Sequence, residues 1–107
     1  MDQLSPTALK TWLDDPARAR PVLVDVREAW ELEQCVLPNV VHIAMNTIPS
    51  RASELDPNAD IVVICHHGGR SAQVGMFLER QGFSKIHNLQ GGMNGWSLQV
   101  DPTVARY

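Results

Sequence analysis

The sequence has few cysteines, few aromatic side chains and no long apolar run. Its 107 residues include two cysteines, too few for the disulfide framework of many small secreted proteins. No apolar segment approaches the roughly 20 residues of a membrane-spanning helix, and the first ten residues lack the apolar core of a signal peptide. A formal net charge of −3 provides no basic field for nucleic acid or anionic lipid. We therefore expect a cytoplasmic protein with reduced thiols that binds neither nucleic acid nor a membrane.

Short apolar segments alternate with helical patterns along the chain. The segments typical of buried strands are residues 21–26, 40–45, 60–65 and 85–89. Helical patterns precede, separate and follow them, at residues 5–13, 27–34, 46–55 and 71–81 and after the glycine pair at 91–92. This alternation predicts an α/β fold, with a mainly parallel sheet of about five strands and helices on both faces. The length suits a single domain over residues 1–107.

The segment VVICHHGGRSAQVG, from Val62 to Gly75, places a cysteine at the end of the clearest predicted strand. Parallel sheets bind ligands beyond the carboxyl ends of their strands, and Cys65 stands at such an end. We expect the next helix to open at Ser71, with Met76 and Phe77 in the core by their helical spacing. A lone cysteine after an apolar strand is most often a core residue. The order of strand, cysteine, glycine pair, arginine and helix favours a reactive site instead.

The residues that follow Cys65 are of the types that stabilise a thiolate. Gly68 and Gly69 can adopt positive φ angles, which lets successive backbone N–H groups form a nest for an anion. The next helix adds the positive end of its dipole. These features favour the thiolate, the nucleophilic form of cysteine, and the planar fork of Arg70 suits an oxyanion such as a sulfonate. On these residues alone, phosphoryl transfer and sulfur transfer both remain open.

Two further stretches carry patterns that agree with the loop CHHGGRS. They are LVDVREAWELEQ, from Leu23 to Gln34, and NLQGGMNGW, from Asn88 to Trp96. Together the three resemble the first signature, the active-site loop and the closing segment of the rhodanese domain, a sulfurtransferase family. The resemblance extends over about residues 4–100 and implies a rhodanese-like α/β fold with Cys65 as its nucleophile. The active-site loop that it implies consists of Cys65 followed by His66, His67, Gly68, Gly69, Arg70 and Ser71.

The resemblance also implies a double displacement on Cys65. Its thiolate would take the outer sulfur of thiosulfate, release sulfite and pass the sulfur from a persulfide to cyanide or a thiol. No metal and no organic cofactor is implied. The loop from Cys65 to Arg70 has six residues, whereas the related phosphatases and arsenate reductases carry one residue more, which favours sulfur transfer. A persulfide carrier with a specific protein donor and acceptor remains a second interpretation.

Several residues near the loop are expected to have structural roles. Asp25 and Arg27 match the first family signature, and we expect them to support the loop, with Arg27 paired to a carboxylate such as Glu31. His66 and His67 are expected to be exposed and to shape the rim of the loop. Proton transfer or zinc binding by these histidines is the weaker interpretation, because nothing completes a ligand set.

One segment departs from the family pattern. The family carries Gly-His-Ile-Pro-Gly-Ala after its first signature, whereas residues 35–40 read Cys-Val-Leu-Pro-Asn-Val and keep only Pro38. We expect altered packing there with activity retained. The change places Cys35 where glycine is usual. A resolving role for this thiol toward oxidised Cys65 is the alternative interpretation, and an inert buried cysteine is the simpler one.

Overall fold

A computed structural model describes residues 1–107, in which five strands alternate with five helices. The strands are β1 (Asp2–Leu4), β2 (Val22–Asp25), β3 (Val40–His42), β4 (Ile61–Ile64) and β5 (Ile86–Leu89). The helices are α1 (Pro6–Asp14), α2 (Ala29–Gln34), α3 (Ile48–Arg51), α4 (Gly69–Arg80) and α5 (Gly92–Gln99). None of the helices is both long enough and apolar enough to cross a membrane.

The strands form one sheet in the order β1-β5-β4-β2-β3, and every pairing is parallel. The predicted α/β fold with a parallel sheet is therefore confirmed. β4 lies at the centre, between β2 and β5, and all four of its residues are buried, which explains its uninterrupted apolar sequence. Cys65 follows β4 directly, so it lies in the middle of the edge formed by the carboxyl ends of the strands.

Helices cover both faces of the sheet, as the alternating pattern predicts. On one face, Leu9 of α1 and Met93 of α5 belong to a single apolar cluster with β4 side chains. On the other face, Ile48 of α3 packs in a second cluster with Val74 and Leu78 of α4. The two clusters hold the carboxyl end of β4 between packed layers, and this gives the loop after Cys65 a rigid base.

One strand was not predicted, and another ends earlier than predicted. β1 was not predicted, because Asp2–Leu4 contains no apolar run. It is an edge strand with two exposed residues and one half-buried residue. The segment predicted as strand over residues 40–45 leaves the sheet after His42. There the backbone N–H and the hydroxyl of Thr47 both donate to the carbonyl of Ala44, each at 2.8 Å, and close a 3₁₀ turn that leads into α3.

The prediction that Met76 lies in the core is wrong. Its exposed fraction is 46%, whereas Val74 and Leu78 on either side are buried. A residue two positions from either of these points to the opposite side of a helix, since neighbours on one face are three or four residues apart. Phe77 is half-buried and packs against the core cluster of that face.

Candidate active site

The side chain of Cys65 lies at the centre of a short turn that joins β4 to α4. Its exposed fraction is 1%. The backbone N–H of Gly68 donates a hydrogen bond to Sγ at 3.0 Å, and Oγ of Ser71 lies 3.2 Å from the same sulfur. The sulfur is therefore held between a main-chain donor and a hydroxyl at the first turn of a 12-residue helix, where the helix dipole favours negative charge.

The turn is shorter than the sequence suggests. α4 begins at Gly69 rather than at Ser71, so Gly69, Arg70 and Ser71 form the first helical turn. Gly68 precedes the helix with φ of +106°, while Gly69 does not share the expected positive φ. One left-handed residue is sufficient here: the carbonyl of Gly68 accepts from the N–H of Ala72 while its own N–H faces the sulfur.

The amino-terminal end of α5 holds the start of the loop from behind. The N–H groups of Met93 and Asn94 donate to the carbonyls of Cys65 and His66, at 2.9 and 3.0 Å. The carbonyl and the following N–H of a trans peptide point in opposite directions. These bonds therefore turn the N–H groups of His66 and His67 away from α5. Gly92 makes the approach possible, because a Cβ there would collide with the same two carbonyls. The sequence shows the glycine pair of the closing segment, but only the fold shows the contact that requires it.

A buried polar chain runs from Cys65 to the edge of the sheet. Ser71 Oγ donates to Oδ1 of Asn88 on β5. The amide nitrogen of Asn88 donates to the carbonyl of Gly68 at 3.2 Å and to Oε1 of Gln3 on β1 at 2.9 Å. Ser71 was predicted as the first helical residue and as a member of the active-site loop, whereas no sequence pattern indicated the contact between Asn88 and the loop.

Arg70 is engaged by a buried carboxylate. Its Nη1 and Nη2 donate to the two carboxylate oxygens of Glu31 on α2, at 2.6 and 2.8 Å. Glu31 is 2% exposed and also accepts from the N–H of Glu28 at 3.0 Å. The hydrogen bonds from Arg70 lower the pKa of Glu31 to about 2 in spite of its burial. The guanidinium predicted to meet a sulfonate therefore already has a bidentate partner.

Arg27 pairs with a carboxylate, as expected, but that carboxylate belongs to Asp25 and not to Glu31. Arg27 Nε and Nη2 donate to the Asp25 carboxylate at 2.9 and 2.7 Å, and both side chains are fully buried. Arg27 reaches Glu31 only at its backbone carbonyl, and it donates to the carbonyl of Cys35 at 2.8 Å. Burial lowers the pKa of Arg27, but Asp25 and Tyr107 together outweigh it and raise the pKa overall. Cys35 is half-buried, with Sγ 3.7 Å from Nη1 of Arg27.

Tyr107 joins this group from the far end of the described chain. Its hydroxyl accepts from Arg27 Nη1 at 2.9 Å and donates to Glu31 at 2.8 Å. Its ring stacks on His66, with ring centres 4.0 Å apart and planes 9° apart, and meets Trp30 edge to face. Burial raises the pKa of Tyr107 to about 12, so its hydroxyl keeps its proton. No local pattern points to this residue, which is 76 positions from Glu31.

The two loop histidines differ in their surroundings. His67 is exposed, as expected, whereas His66 is half-buried between His67 and Tyr107, with 4.0 Å between ring centres on each side. Burial, followed by the neighbouring His67, lowers the pKa of His66 below its ordinary value of 6.5. At neutral pH we therefore treat the His66 ring as an uncharged packing surface.

These contacts define a class of site. A cysteine at the carboxyl end of a central parallel strand faces a main-chain N–H and the start of a helix, and an arginine in the first turn is fixed by a glutamate. Sites of this construction favour a cysteine thiolate and hold an anionic group bonded to its sulfur.

Comparison with known proteins identifies the family. Residues 5–99 match the family model described as "Rhodanese-like domain". This chain therefore belongs to the rhodanese-like family. It is similar to a rhodanese-like domain protein from Staphylococcus aureus, with a TM-score of 0.82, 32% identity and coverage of 90% and 91% of the two chains.

Curated relatives differ in length and in name. A protein of Allochromatium vinosum named "Sulfurtransferase" is 37% identical over 84 residues, 78% of each chain. "Thiosulfate sulfurtransferase GlpE" of Pseudomonas savastanoi is 35% identical and covers 78% of this chain and 79% of its own. YrkF of Bacillus subtilis, described by its name as a candidate sulfur carrier, is 41% identical over 70% of this chain. The match spans only 40% of YrkF's length.

Proposed function

We propose that this protein is a sulfurtransferase that carries sulfane sulfur as a persulfide on Cys65. The observation that carries the proposal is the position of Sγ, which is 3.0 Å from the Gly68 N–H at the start of α4. The names of its relatives of similar length support the same activity. Two free cysteines agree with the cytoplasmic setting that we propose, where thiols stay reduced.

The first step is attack by the Cys65 thiolate on the outer sulfur of thiosulfate. A new S–S bond forms at Sγ, the S–S bond of thiosulfate breaks, and sulfite leaves with the electron pair. The Gly68 N–H and the α4 dipole act on the negative charge of the attacking sulfur and of the persulfide that follows.

The second step returns the enzyme to its starting state. A nucleophile, either cyanide or a thiolate, attacks the outer sulfur of the persulfide, and the electron pair of the S–S bond returns to Sγ as a thiolate. Cyanide becomes thiocyanate, and a thiolate becomes a persulfide. The oxidation level of the protein is unchanged over the cycle, so these steps need no redox cofactor.

A persulfide carrier is the second candidate, and one contact favours it. Arg70 is the cation expected to hold the sulfonate of thiosulfate. Both of its Nη atoms donate hydrogen bonds to the Glu31 carboxylate. With Asp25 and Arg27 also paired, the two guanidinium groups beside the loop are matched by two carboxylates. A persulfide donor needs less free positive charge at this site than thiosulfate, which is a doubly charged anion. The similarity to YrkF supports the same interpretation.

Intact mass spectrometry before and after thiosulfate tests the proposal. We expect wild-type protein to gain one sulfur atom and to lose it on addition of cyanide, and we expect Cys65→Ser to gain none. Cys35→Ser is the matched control, because it removes the other cysteine and should still load. Loading that persists in Cys65→Ser would overturn the assignment of the nucleophile.

Two further reactions separate the alternatives. Loading by a small-molecule persulfide such as cysteine persulfide, with no loading by thiosulfate, would establish the carrier interpretation. Hydrolysis of p-nitrophenyl phosphate without any sulfur loading would instead indicate phosphatase chemistry and would refute sulfur transfer. The six-residue loop from Cys65 to Arg70 leads us to expect no phosphate-ester turnover.

A further inference from the structure

The chain of hydrogen bonds behind Cys65 has only one possible direction. The carbonyl of Gly68 can only accept, so the Asn88 atom 3.2 Å away from it must be the amide nitrogen. The other end of that amide, Oδ1, then faces Ser71 and accepts its hydroxyl proton. Both residues are buried, with exposed fractions of 0% for Ser71 and 4% for Asn88, so water does not compete for these groups.

This direction determines what Ser71 can offer to the sulfur. A hydroxyl has one proton, and in this arrangement it goes to Asn88. Toward Sγ, 3.2 Å away, Ser71 therefore presents a lone pair, which can accept the S–H of a Cys65 thiol but gives nothing to a thiolate. The Gly68 N–H acts in the opposite sense, because it donates to the sulfur and favours the thiolate.

We infer that Asn88 is a positioning residue that keeps the Ser71 proton away from Cys65, and so restrains ionisation of the resting thiol. To donate to a thiolate, Ser71 has to turn away from Asn88, which leaves Oδ1 buried without a donor. Gln3 holds the amide of Asn88 from the other side, through Oε1 at 2.9 Å. The inference rests on the proposed function only in taking Cys65 as the reacting group.

Alkylation of Cys65 at pH 7 measures the thiolate without any sulfur donor. The peptide between Arg51 and Arg70 contains Cys65 as its single cysteine, so mass spectrometry after trypsin digestion reads this site alone. Asn88→Leu removes the acceptor at similar volume and leaves Ser71 free to donate to the sulfur. We expect iodoacetamide to modify Cys65 of this variant several-fold faster, because the thiolate gains a hydrogen bond; part of the gain is offset, since a stabilised thiolate is a weaker nucleophile.

A second background separates positioning from a general effect on the loop. With Ser71→Ala present there is no hydroxyl to redirect, so adding Asn88→Leu should leave the alkylation rate unchanged. Equal acceleration in both backgrounds would show that Asn88 acts through Gly68 and not through Ser71, which would overturn the inference. Gln3→Leu is the matched control. It removes a partner of Asn88 but leaves the bond from Ser71 in place, so the alkylation rate of Cys65 should stay at the wild-type value.

Two measurements keep the inference testable if Asn88→Leu fails to fold. Ser71→Ala alone should be alkylated faster than wild type, because the thiol loses its acceptor; slower alkylation would mean that Ser71 donates to the thiolate, and the inference would fall. At high pH the rates of Ser71→Ala and wild type should converge, because in neither protein does a hydroxyl donate to the thiolate. Persulfide formation is read separately, so a protein that behaves as expected here but never loads sulfur refutes only the proposed function.

Discussion

Arg70 and Glu31 form a bidentate ion pair that joins the first turn of α4 to the middle of α2. The two N···O distances are 2.6 and 2.8 Å, and the Glu31 side chain is 3% exposed against 36% for Arg70. The pair fixes the arginine of the loop from a position 39 residues away in the chain. Its geometry bears on both the stability of the site and the choice of sulfur donor.

Replacing Glu31 by glutamine should lower the free energy of unfolding by about 1–2 kcal/mol, because the buried carboxylate is lost while the Arg70 side chain, 36% exposed, is partly rehydrated. Urea unfolding at pH 7 measures this. Glu33→Gln is the control on the same helix, where the side chain is exposed and the change should stay within about 0.5 kcal/mol. Equal effects of the two variants would mean that the ion pair contributes nothing.

The contribution of Glu31 should depend on pH. Arg70 lowers its pKa from 4.5 to about 2 in the folded protein. A carboxyl group whose pKa is lowered by folding stabilises the protein fully above its unfolded pKa and loses that contribution as the pH falls through the folded value. The stability difference between wild type and Glu31→Gln should therefore persist above pH 4.5 and shrink toward pH 2. A difference that disappears already at pH 6 would contradict the assignment.

Tyr107 can be tested through His66, the ring on which it stacks. Tyr107→Phe keeps the stacked ring and loses the hydroxyl, whereas Tyr107→Ala uncovers His66. Since burial is the main cause that lowers the pKa of His66, we expect Tyr107→Ala to raise it toward 6.5 and Tyr107→Phe to leave it low. Histidine proton chemical shifts followed against pH measure this. The same titration in both variants would exclude the stacking role.

Gly92 should tolerate no side chain. Gly92→Ala combines a φ of +58° with a collision against the carbonyls of Cys65 and His66, and we expect a loss of more than about 2 kcal/mol together with slower persulfide formation. Gly82→Ala is the matched control: its φ is +100°, but nothing lies within 4 Å of the added Cβ. Thermal unfolding and sulfur loading of both variants separate backbone strain from displacement of the loop.

The orientation of α4 gives a direct test of the fold. Leu78 is fully buried against the sheet, so Leu78→Ala should cost about 2–5 kcal/mol. Met76 on the opposite side is 46% exposed, and Met76→Ala should change stability by less than about 0.5 kcal/mol. Comparable losses in the two variants, measured by urea unfolding, would place Met76 in the core after all.

Short-range patterns predicted most of the architecture. The apolar, β-branched run before Cys65 marked the central strand, because a strand buried on both faces needs no polar alternation. β1 could not be predicted from the sequence, because its three residues form a strand by pairing with β5, and local periodicity does not indicate that pairing. Met76 was misplaced for a different reason: it stands two positions from both Val74 and Leu78, and this spacing puts it on the opposite side of α4.

The sequence by itself determined the α/β fold and the position of Cys65 between a strand and a helix, because hydrophobic periodicity and glycine placement act over a few residues. The tertiary structure decided the partners of that cysteine and of Arg70. Asn88, Glu31 and Tyr107 come from β5, α2 and the end of the described chain, and only the folded structure brings them together at the loop. Hydrogen bonds and ion pairs depend on distances of about 3 Å between groups far apart in sequence, and the chain sets those distances only when it is packed.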